Sequence, residues 1–152
     1  MGAVIDRLAS LGLTVPDVAA PVAAYVPAVQ SGAHVYTSGQ LPFVDGVLPG
    51  TGKVGAEVSP EDAHEYAKLC ALNVIAAINS IVDLDSVVRV VKLTVFVASA
   101  PDFTGQPAVA NGASELIAAA FGAAGPHARS AVGVAVLPMD TPVEVDAIVE
   151  VR

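Results

Sequence analysis

The sequence of 152 residues predicts an α/β (α+β) fold in which two helices pack on one face of a mixed β-sheet. Two observations predict it. Segments rich in β-branched residues alternate with segments whose apolar residues recur at helical spacing, and clusters of glycine and proline separate them. The resulting order is β-β-α-β-α-β-β after an N-terminal leader helix, an order typical of helices lying on one side of a sheet. No repeat, linker or low-complexity block interrupts the chain, which indicates a single domain over residues 1–152.

The leader comprises residues 1–21. Residues 3–11 predict a short helix that ends at Gly12, and the prolines that follow, Pro21 among them, keep the next segment extended. Two strands are then predicted, "YVPAVQSG" and "HVYTSGQLPF", joined by a turn at Ser31-Gly32. The glycine-rich stretch "VDGVLPGTGKVG" leads into the first long helix as a loop or ragged hairpin.

The clearest helix is "SPEDAHEYAKLCALNVIAAINSIV". Ser59 has the chemistry of an N-cap, and Pro60 suits the first helical position. Its apolar stripe, at helical spacing, comprises Ala63, Tyr66, Cys70, Val74, Ala77 and Ile81. Because Cys70 lies on this stripe, we expect a core residue rather than a nucleophile. A second helix, "QPAVANGASELIAAAFG", follows the strand "VVRVVKLTVFVAS" and ends at Gly122.

The last two strands, over residues 128–137 and 143–151, are predicted to form a hairpin around "PMDTP". Since side chains alternate across a strand, their valine faces are expected to match and to carry the helices. The second face would then be small on one strand, with Ala131 and Gly133 beside Arg129, and acidic on the other, with Glu144. This pattern suggests an intersubunit cleft. Two other interpretations stay open: Arg129 simply reaches water from the strand end, or the face is solvated and its small residues carry no meaning.

Composition narrows the possible partners. The chain is 54% hydrophobic with a mean hydropathy of +0.65, yet no apolar run approaches the ~20 residues of a membrane helix. A subunit interface is therefore the expected place for the apolar excess. A net charge of -8 without a basic stripe argues against a nucleic-acid partner. The N-terminus lacks the pattern of a signal peptide.

Several kinds of site are also disfavoured. The single cysteine excludes an internal disulfide and a cysteine metal cluster, and favours a reduced, cytoplasmic setting. His34, His64 and His127 lack the spacing of metal ligands. We read Lys53 as a loop charge, because "GTGKVG" lacks the context of a phosphate loop. No metal and no cofactor are expected.

Four stretches carry a resemblance to a known family: "YTSGQLP", "VVKLTVFVASAPDF", "ARSAVGVAVLP" and "VEVDAIV", in this order. Together they resemble the RidA family, the YjgF-like reactive-intermediate imine deaminases, over roughly residues 22–151, with the leader typical of a longer-chain branch. The resemblance implies a chorismate-mutase-like fold and a homotrimer, in which three sheets form an inner barrel, helices lie outside, and three clefts lie between subunits.

The resemblance also implies site residues. Arg129 stands at the position of the family arginine, which binds the carboxylate of a 2-imino acid, and Glu144 lies fifteen positions further on, where the family has its glutamate. The family tyrosine matches Tyr25. The family serine matches Ser38, beside Gly39, and the family asparagine matches Asn111 if one residue is inserted near 123–127. Ala131 replaces a cysteine that many members carry, a loss that removes any thiol chemistry at that position.

These residues suit the hydrolytic deamination of reactive imino or enamine acids to 2-keto acids and ammonia. Arg129 would grip the substrate carboxylate with two parallel hydrogen bonds, and Glu144 would hold or deprotonate the attacking water. Tyr25 would close over the substrate or donate a proton, although packing at an interface explains it equally well. Ser38 and Asn111 also have structural interpretations, as a turn cap and as helix surface. The alternative function is a trimer that binds small carboxylates without turnover. Some family members are labelled endoribonucleases, but the acidic charge argues against that activity here.

Overall fold

A computed structural model describes residues 2–18 and 24–152 of the chain. The end of the leader, including Pro21, lies outside the described residues. The helices are α1 (Ala3–Ser10), α2 (Pro60–Asn79) and α3 (Gln106–Phe121), and the strands are β1 (Ala28–Ser31), β2 (His34–Thr37), β3 (Val87–Ala98), β4 (Ala128–Val134) and β5 (Val143–Val151). The predicted mixed α+β fold and its element order are confirmed, although β4 ends three residues before the predicted end.

Helix α2 begins where its capping residues predict. The Ser59 side chain accepts a hydrogen bond from the backbone N–H of Asp62 at 3.1 Å, and Pro60 occupies the first turn of α2. Cys70 is fully buried and its Sγ donates to the carbonyl oxygen of Val143 at 3.6 Å, so the expectation of a core residue is confirmed. Gly122, with φ of 58°, ends α3 as predicted.

The leader helix is tied to the body of the protein at both ends. The backbone N–H groups of Ala3 and Val4 donate to the carboxylate of Asp85, which places a negative charge at the positive end of α1. Arg7 donates to the carbonyl oxygen of Ala120 on α3, and Leu8 is fully buried. The helix is therefore a packed part of the fold.

The five strands form one sheet in the order β1-β2-β5-β3-β4. β5 pairs antiparallel with both β2 and β3, and β4 pairs parallel with β3 at the edge of the sheet. The predicted hairpin of β4 and β5 is therefore wrong: β3 lies between them. The physical reason is the connection through α3, which makes β3-α3-β4 a crossover unit, and such a unit joins parallel strands.

The two faces of the sheet differ from the prediction as well. Ala131 stands in register with Val95, which is in register with Val145 on the buried side that α2 and α3 cover. Val132 instead faces the open side, in register with Phe96 and Glu144, and is 42% exposed. The small face of β4 thus lies under the helices, and its valines face outward.

Gly133 shows why the helix side of β4 is small. A Cβ placed on Gly133 would lie 2.8 Å from Nε2 of Gln106 and 3.1 Å from Oγ of Ser99. Gln106 is the first residue of α3 and donates to Ser99 and to the carbonyl of Phe103. The small residues therefore make room for the start of α3 in the same chain, and not for another subunit.

Candidate functional site

Arg129, near the start of β4, is held by one face of α3. Its Nη1 donates to Oδ1 of Asn111 at 2.8 Å and to Oγ of Ser114 at 3.1 Å, and its Nη2 donates to the carbonyl oxygen of Pro107 at 3.3 Å. The three helix residues are spaced i, i+4 and i+7, so they share one side of the helix. The structure therefore brings Arg129 and Asn111 together, as the sequence analysis expected.

These contacts leave one edge of the guanidinium open. Arginine has five N–H donors; both on Nη1 and one on Nη2 are engaged by α3. In the part of the chain that the structure describes, Nε–H has no acceptor and Nη2 makes only the contact to Pro107, so the Nε/Nη2 edge is the less engaged side of the guanidinium. The ion pairs found there are Lys53–Asp140, His64–Glu65 and His64–Glu115, none of which includes Arg129. A guanidinium without an ion-pair partner among the described residues, and with its Nε side little engaged, suits a carboxylate.

A second group of predicted residues gathers around Glu144 on the open face. Gly39 lies directly beside its side chain: a Cβ on Gly39 would be 2.8 Å from Cδ and 2.9 Å from Oε2 of Glu144. Ser38 Oγ donates to the carbonyl oxygen of Val26 at 2.6 Å, so its hydroxyl serves the backbone next to Tyr25. Tyr25 itself is 47% exposed. The Ser38 hydroxyl thus stabilises the local backbone, and the side chain of Tyr25 is accessible to another surface.

Burial raises the pKa of Glu144, and the neighbouring carboxylate of Asp146 raises it further. Burial likewise raises the pKa of Asp146, while a hydrogen bond from Thr94 and the charge of Lys92 act in the opposite direction. Both carboxylates project from β5 to the open face, two residues apart. A carboxylate with a raised pKa is a stronger base than an ordinary surface glutamate, which suits it to accept a proton from water.

Arg129 and Glu144 do not share a cleft within one chain. Arg129 is in register with Leu93 and Ala147 on the helix side, whereas Glu144 projects to the open side. Two strand spacings, roughly 10 Å, also separate β4 from β5. The expectation that they stand on the same face of neighbouring strands is wrong, because β5 is inserted between β2 and β3.

Other candidate residues have structural roles. Lys53 pairs with Asp140 at 2.6 Å, in keeping with its interpretation as a loop charge. Burial raises the pKa of Cys70 well above the ordinary value for a thiol, and Glu144 adds to this. Over residues 2–18 and 24–152, no cluster of three or more His, Cys, Asp or Glu side chains is placed to hold a metal ion. Within the same ranges, none of the helices combines the length and apolar character needed to cross a bilayer.

The residues that contact the Arg129 guanidinium, together with Arg129 itself, form the Arg129 group. Two of them, Ser114 and Pro107, were not predicted from the sequence. Both could have been predicted from their spacing to Asn111, because residues 107, 111 and 114 lie on one side of a helix. His127, which the sequence analysis considered only as a metal ligand, contacts Ser114 directly, with Nε2 2.9 Å from the serine Oγ. A cavity of about 770 Å³ between the leader and α2 includes none of the predicted site residues.

Comparisons with known proteins agree with this architecture. A family model described as Endoribonuclease L-PSP matches residues 16–151. The chain is 49% identical over 153 residues to "Protein TCP17" of Trypanosoma cruzi, covering 99% of this chain and 96% of that one. It is 36% identical over 129 residues to a 2-iminobutanoate/2-iminopropanoate deaminase of Salmonella typhimurium, covering 85% and 88%.

A solved structure is similar over nearly the whole chain. The protein Atu1372 of Agrobacterium tumefaciens, described as having unknown function, superposes with a TM-score of 0.92 at 46% identity, covering 99% of this chain and 93% of that one. The leader helix and the inserted strand β5 thus belong to an architecture that this relative shares along its length.

Proposed function

The chain belongs to the endoribonuclease L-PSP family, the YjgF/RidA family, and from this premise we propose that it hydrolyses reactive 2-imino acids to 2-keto acids and ammonia. The observation that carries the proposal is the way in which α3 orients the guanidinium of Arg129. Three contacts from α3 fix its guanidinium, and its Nε–H has no acceptor among the described residues. A 2-imino acid offers a carboxylate of matching geometry, directly bonded to the carbon that water must attack.

In the proposed reaction the substrate carboxylate binds to Arg129 and the C=N carbon lies before a water molecule held by Glu144. Water oxygen forms a bond to that carbon while Glu144 takes one proton from the water and the imine nitrogen gains one from Tyr25 or solvent. In the carbinolamine, Glu144 returns its proton to the nitrogen and the hydroxyl gives up its own, so that the C–N bond breaks, ammonia leaves and the C=O bond of the keto acid forms. Holding the carboxylate supplies orientation, and the raised pKa of Glu144 supplies basicity. No redox step or cofactor is needed.

We further propose that each site lies between two subunits of a homotrimer. In one chain the Arg129 group and the Glu144 group lie on opposite sides of the sheet, so a second copy must bring the missing half. The open face also carries large apolar side chains without cover, namely Val29, Tyr36 and Val132. Their burial against other copies stabilises the assembly by about 25 cal/mol for each Å² of apolar surface removed from water.

The other residues take supporting roles in this proposal. Gly39 leaves room for the Glu144 carboxylate and, with Ser38, forms the floor on that side. Asn111 orients Arg129 from α3. Tyr25, exposed beside Val26, closes over the substrate or donates the proton to nitrogen.

The activity is tested by generating 2-iminopropionate or 2-iminobutyrate with an amino-acid oxidase and following its loss by trapping with semicarbazide. We expect the protein to accelerate loss of the imine. The Arg129→Ala change should reduce the rate about thirty- to a thousand-fold, from a charge-assisted contact worth roughly 2 to 4 kcal/mol. Arg89, exposed on β3, provides the matched control as Arg89→Ala, with unchanged rate. If imine loss is equally fast with wild type, with Arg129→Ala and with buffer alone, the protein does not catalyse the reaction. If wild type in addition binds a keto acid more tightly than Arg129→Ala does, the protein is the non-catalytic binder of small carboxylates.

The position of the site is tested separately by mixing subunits. Neither Arg129→Ala nor Glu144→Gln trimers contain a complete site. In trimers reassembled from equal amounts of both, a site that takes Glu144 from one subunit and Arg129 from another is intact in about a quarter of cases. We expect activity to return to about that fraction. If both residues of a site come from the same chain, no activity returns.

A further inference from the structure

Ser114 and His127 form a hydrogen-bonded pair behind Arg129. The His127 ring places Nδ1 2.6 Å from the carbonyl oxygen of Gly125 and Nε2 2.9 Å from Oγ of Ser114. The same Oγ lies 3.1 Å from Nη1 of Arg129. Three side chains and one backbone carbonyl thus make a continuous chain of hydrogen bonds that ends on the guanidinium. Ser114, His127 and Arg129 are all partly buried.

Chemistry fixes the direction of this chain in the neutral ring. A carbonyl oxygen can only accept, so Nδ1 carries the proton and donates to Gly125. Nε2 is then an acceptor, and the Ser114 hydroxyl must donate to it. With its proton committed to His127, Ser114 offers a lone pair to Nη1 of Arg129, which donates to it. Each hydrogen bond therefore has one direction, and the histidine sets the orientation of the serine hydroxyl.

This arrangement determines which edge of Arg129 is left open. Nη1 has two hydrogens, one taken by Asn111 and one by Ser114. If Ser114 did not accept, one Nη1 hydrogen would become available, and the guanidinium could turn to present its end instead of its Nε side. Two competing edges would divide the bound carboxylate between two poses.

We propose that the Ser114–His127 pair is a positioning device that selects the Nε/Nη2 edge of Arg129 for the substrate carboxylate. This inference rests on the proposed function, since it assigns a purpose to the same arginine. The pair does not touch the reacting carbon; it acts only through Arg129. Glu115, next to Ser114 in sequence, pairs with His64 instead, so no carboxylate of the described residues competes with the serine for Nη1.

The proposal is tested first by calorimetric binding of 2-oxobutanoate, an unreactive keto acid that carries the same carboxylate. We expect Ser114→Ala and His127→Leu each to weaken binding about five- to tenfold, the effect of one lost hydrogen bond. Because the two residues act in series, the double variant should be no weaker than either single one. His127→Gln keeps an acceptor for the serine hydroxyl and should bind within about twofold of wild type. His64→Leu serves as the matched control and should bind as wild type does.

A second readout separates positioning from general damage to the fold. In the imine assay the Ser114 and His127 variants should raise KM with kcat little changed, because they weaken a contact made equally in ground and transition states. The NMR signal of Arg129 Nε–H should also show faster exchange with solvent in His127→Leu and return to the wild-type rate in His127→Gln. Thermal unfolding of each variant checks that the protein remains folded.

The outcomes distinguish this inference from the function on which it rests. If Arg129→Ala binds 2-oxobutanoate as well as wild type, the carboxylate site itself is wrong. If Arg129→Ala loses binding but Ser114→Ala and His127→Leu keep wild-type affinity, the site stands and the positioning device is refuted. Losses that simply add in the double variant, or a His127→Gln variant as weak as His127→Leu, also refute it. If His127→Leu fails to fold, Ser114→Ala decides alone.

Discussion

The Gly39→Ala substitution tests whether the position of Glu144 controls the reaction. Gly39 has no positive φ, so alanine meets no backbone strain there. Its Cβ would lie 2.8 Å from Cδ and 2.9 Å from Oε2 of Glu144. To restore an ordinary separation of ~3.5 Å, the carboxylate must move by roughly 0.7 Å or more. The side chain is flexible and half-buried, so it moves at small cost to stability, within about 0.5 kcal/mol.

A displacement of this size in a catalytic base is costly, because misplacement by about 1 Å reduces rates on the order of a hundredfold. We expect Gly39→Ala to lower kcat in the semicarbazide-coupled assay about ten- to a hundredfold, with little change in KM, since Arg129 is untouched. Thermal unfolding should be close to that of wild type. Glu144→Asp in the same chain shortens the side chain by one methylene and should recover part of the loss.

The control for this prediction is the Glu144→Gln background. If Gly39 acts only through the Glu144 carboxylate, adding Gly39→Ala to Glu144→Gln should reduce activity little further. A wild-type kcat for Gly39→Ala would refute the proposed role of Glu144 at this place. So would an equal fold-loss in both backgrounds, which would indicate a direct contact of Gly39 with substrate.

Four further outcomes are expected. Activity should fall at acid pH as Glu144 is protonated, because burial and the charge of Asp146 raise the pKa of Glu144. The Asp146→Asn change should move the acid limb of the pH–rate profile to lower pH. An unmoved acid limb would show that Asp146 does not influence the pKa of Glu144. Because the pKa of Glu144 is raised in the folded protein, protonated Glu144 contributes to the free energy of unfolding at low pH, and this contribution is lost as pH rises through the folded pKa. In denaturant unfolding, Glu144→Gln should therefore lack this part of the pH dependence of stability. Gly133→Leu should lower the free energy of unfolding by about 1 to 3 kcal/mol, because the added side chain would push against Gln106. Thermal unfolding measures this loss. If the variant instead loses its oligomeric state at unchanged stability, the explanation is wrong. Highly purified protein with a net charge of -8 should not cut RNA; cleavage that a cleft variant abolishes would overturn this expectation.

The helices could be predicted from local signals alone. Ser59 followed by Pro60 marks the start of α2, and its apolar residues fall at helical spacing, so chemistry within a few residues decides the element. Arg129 and Asn111 also come together as expected, because the turn after α3 returns the chain along that helix. The motifs that resemble the family were sufficient for the fold class.

Strand pairing was not predictable from proximity in sequence. β4 and β5 are separated by a short turn, which favours a hairpin, yet β4 pairs with β3 and β5 enters the middle of the sheet. The signal that should have prevailed is α3, since a helix between two strands requires a crossover and favours parallel pairing. The face of β4 was misjudged for a related reason: Val132 is apolar and yet exposed in the single chain. Periodicity identifies two faces but does not say which of them another subunit covers.

The proposed division of the site between two subunits predicts that activity depends on assembly. Arg129 is fixed by α3 of its own chain, and Glu144 is desolvated on the open face, so each half is preorganised before the halves meet. Assembly then only has to align two rigid surfaces. If a trimer is the active form, dilution below its dissociation range should reduce specific activity, and light scattering on the same samples should show trimers giving way to monomers over the same concentrations. Full specific activity in samples that scatter as monomers would mean that one chain completes the site by itself, which the opposite orientation of Arg129 and Glu144 does not allow.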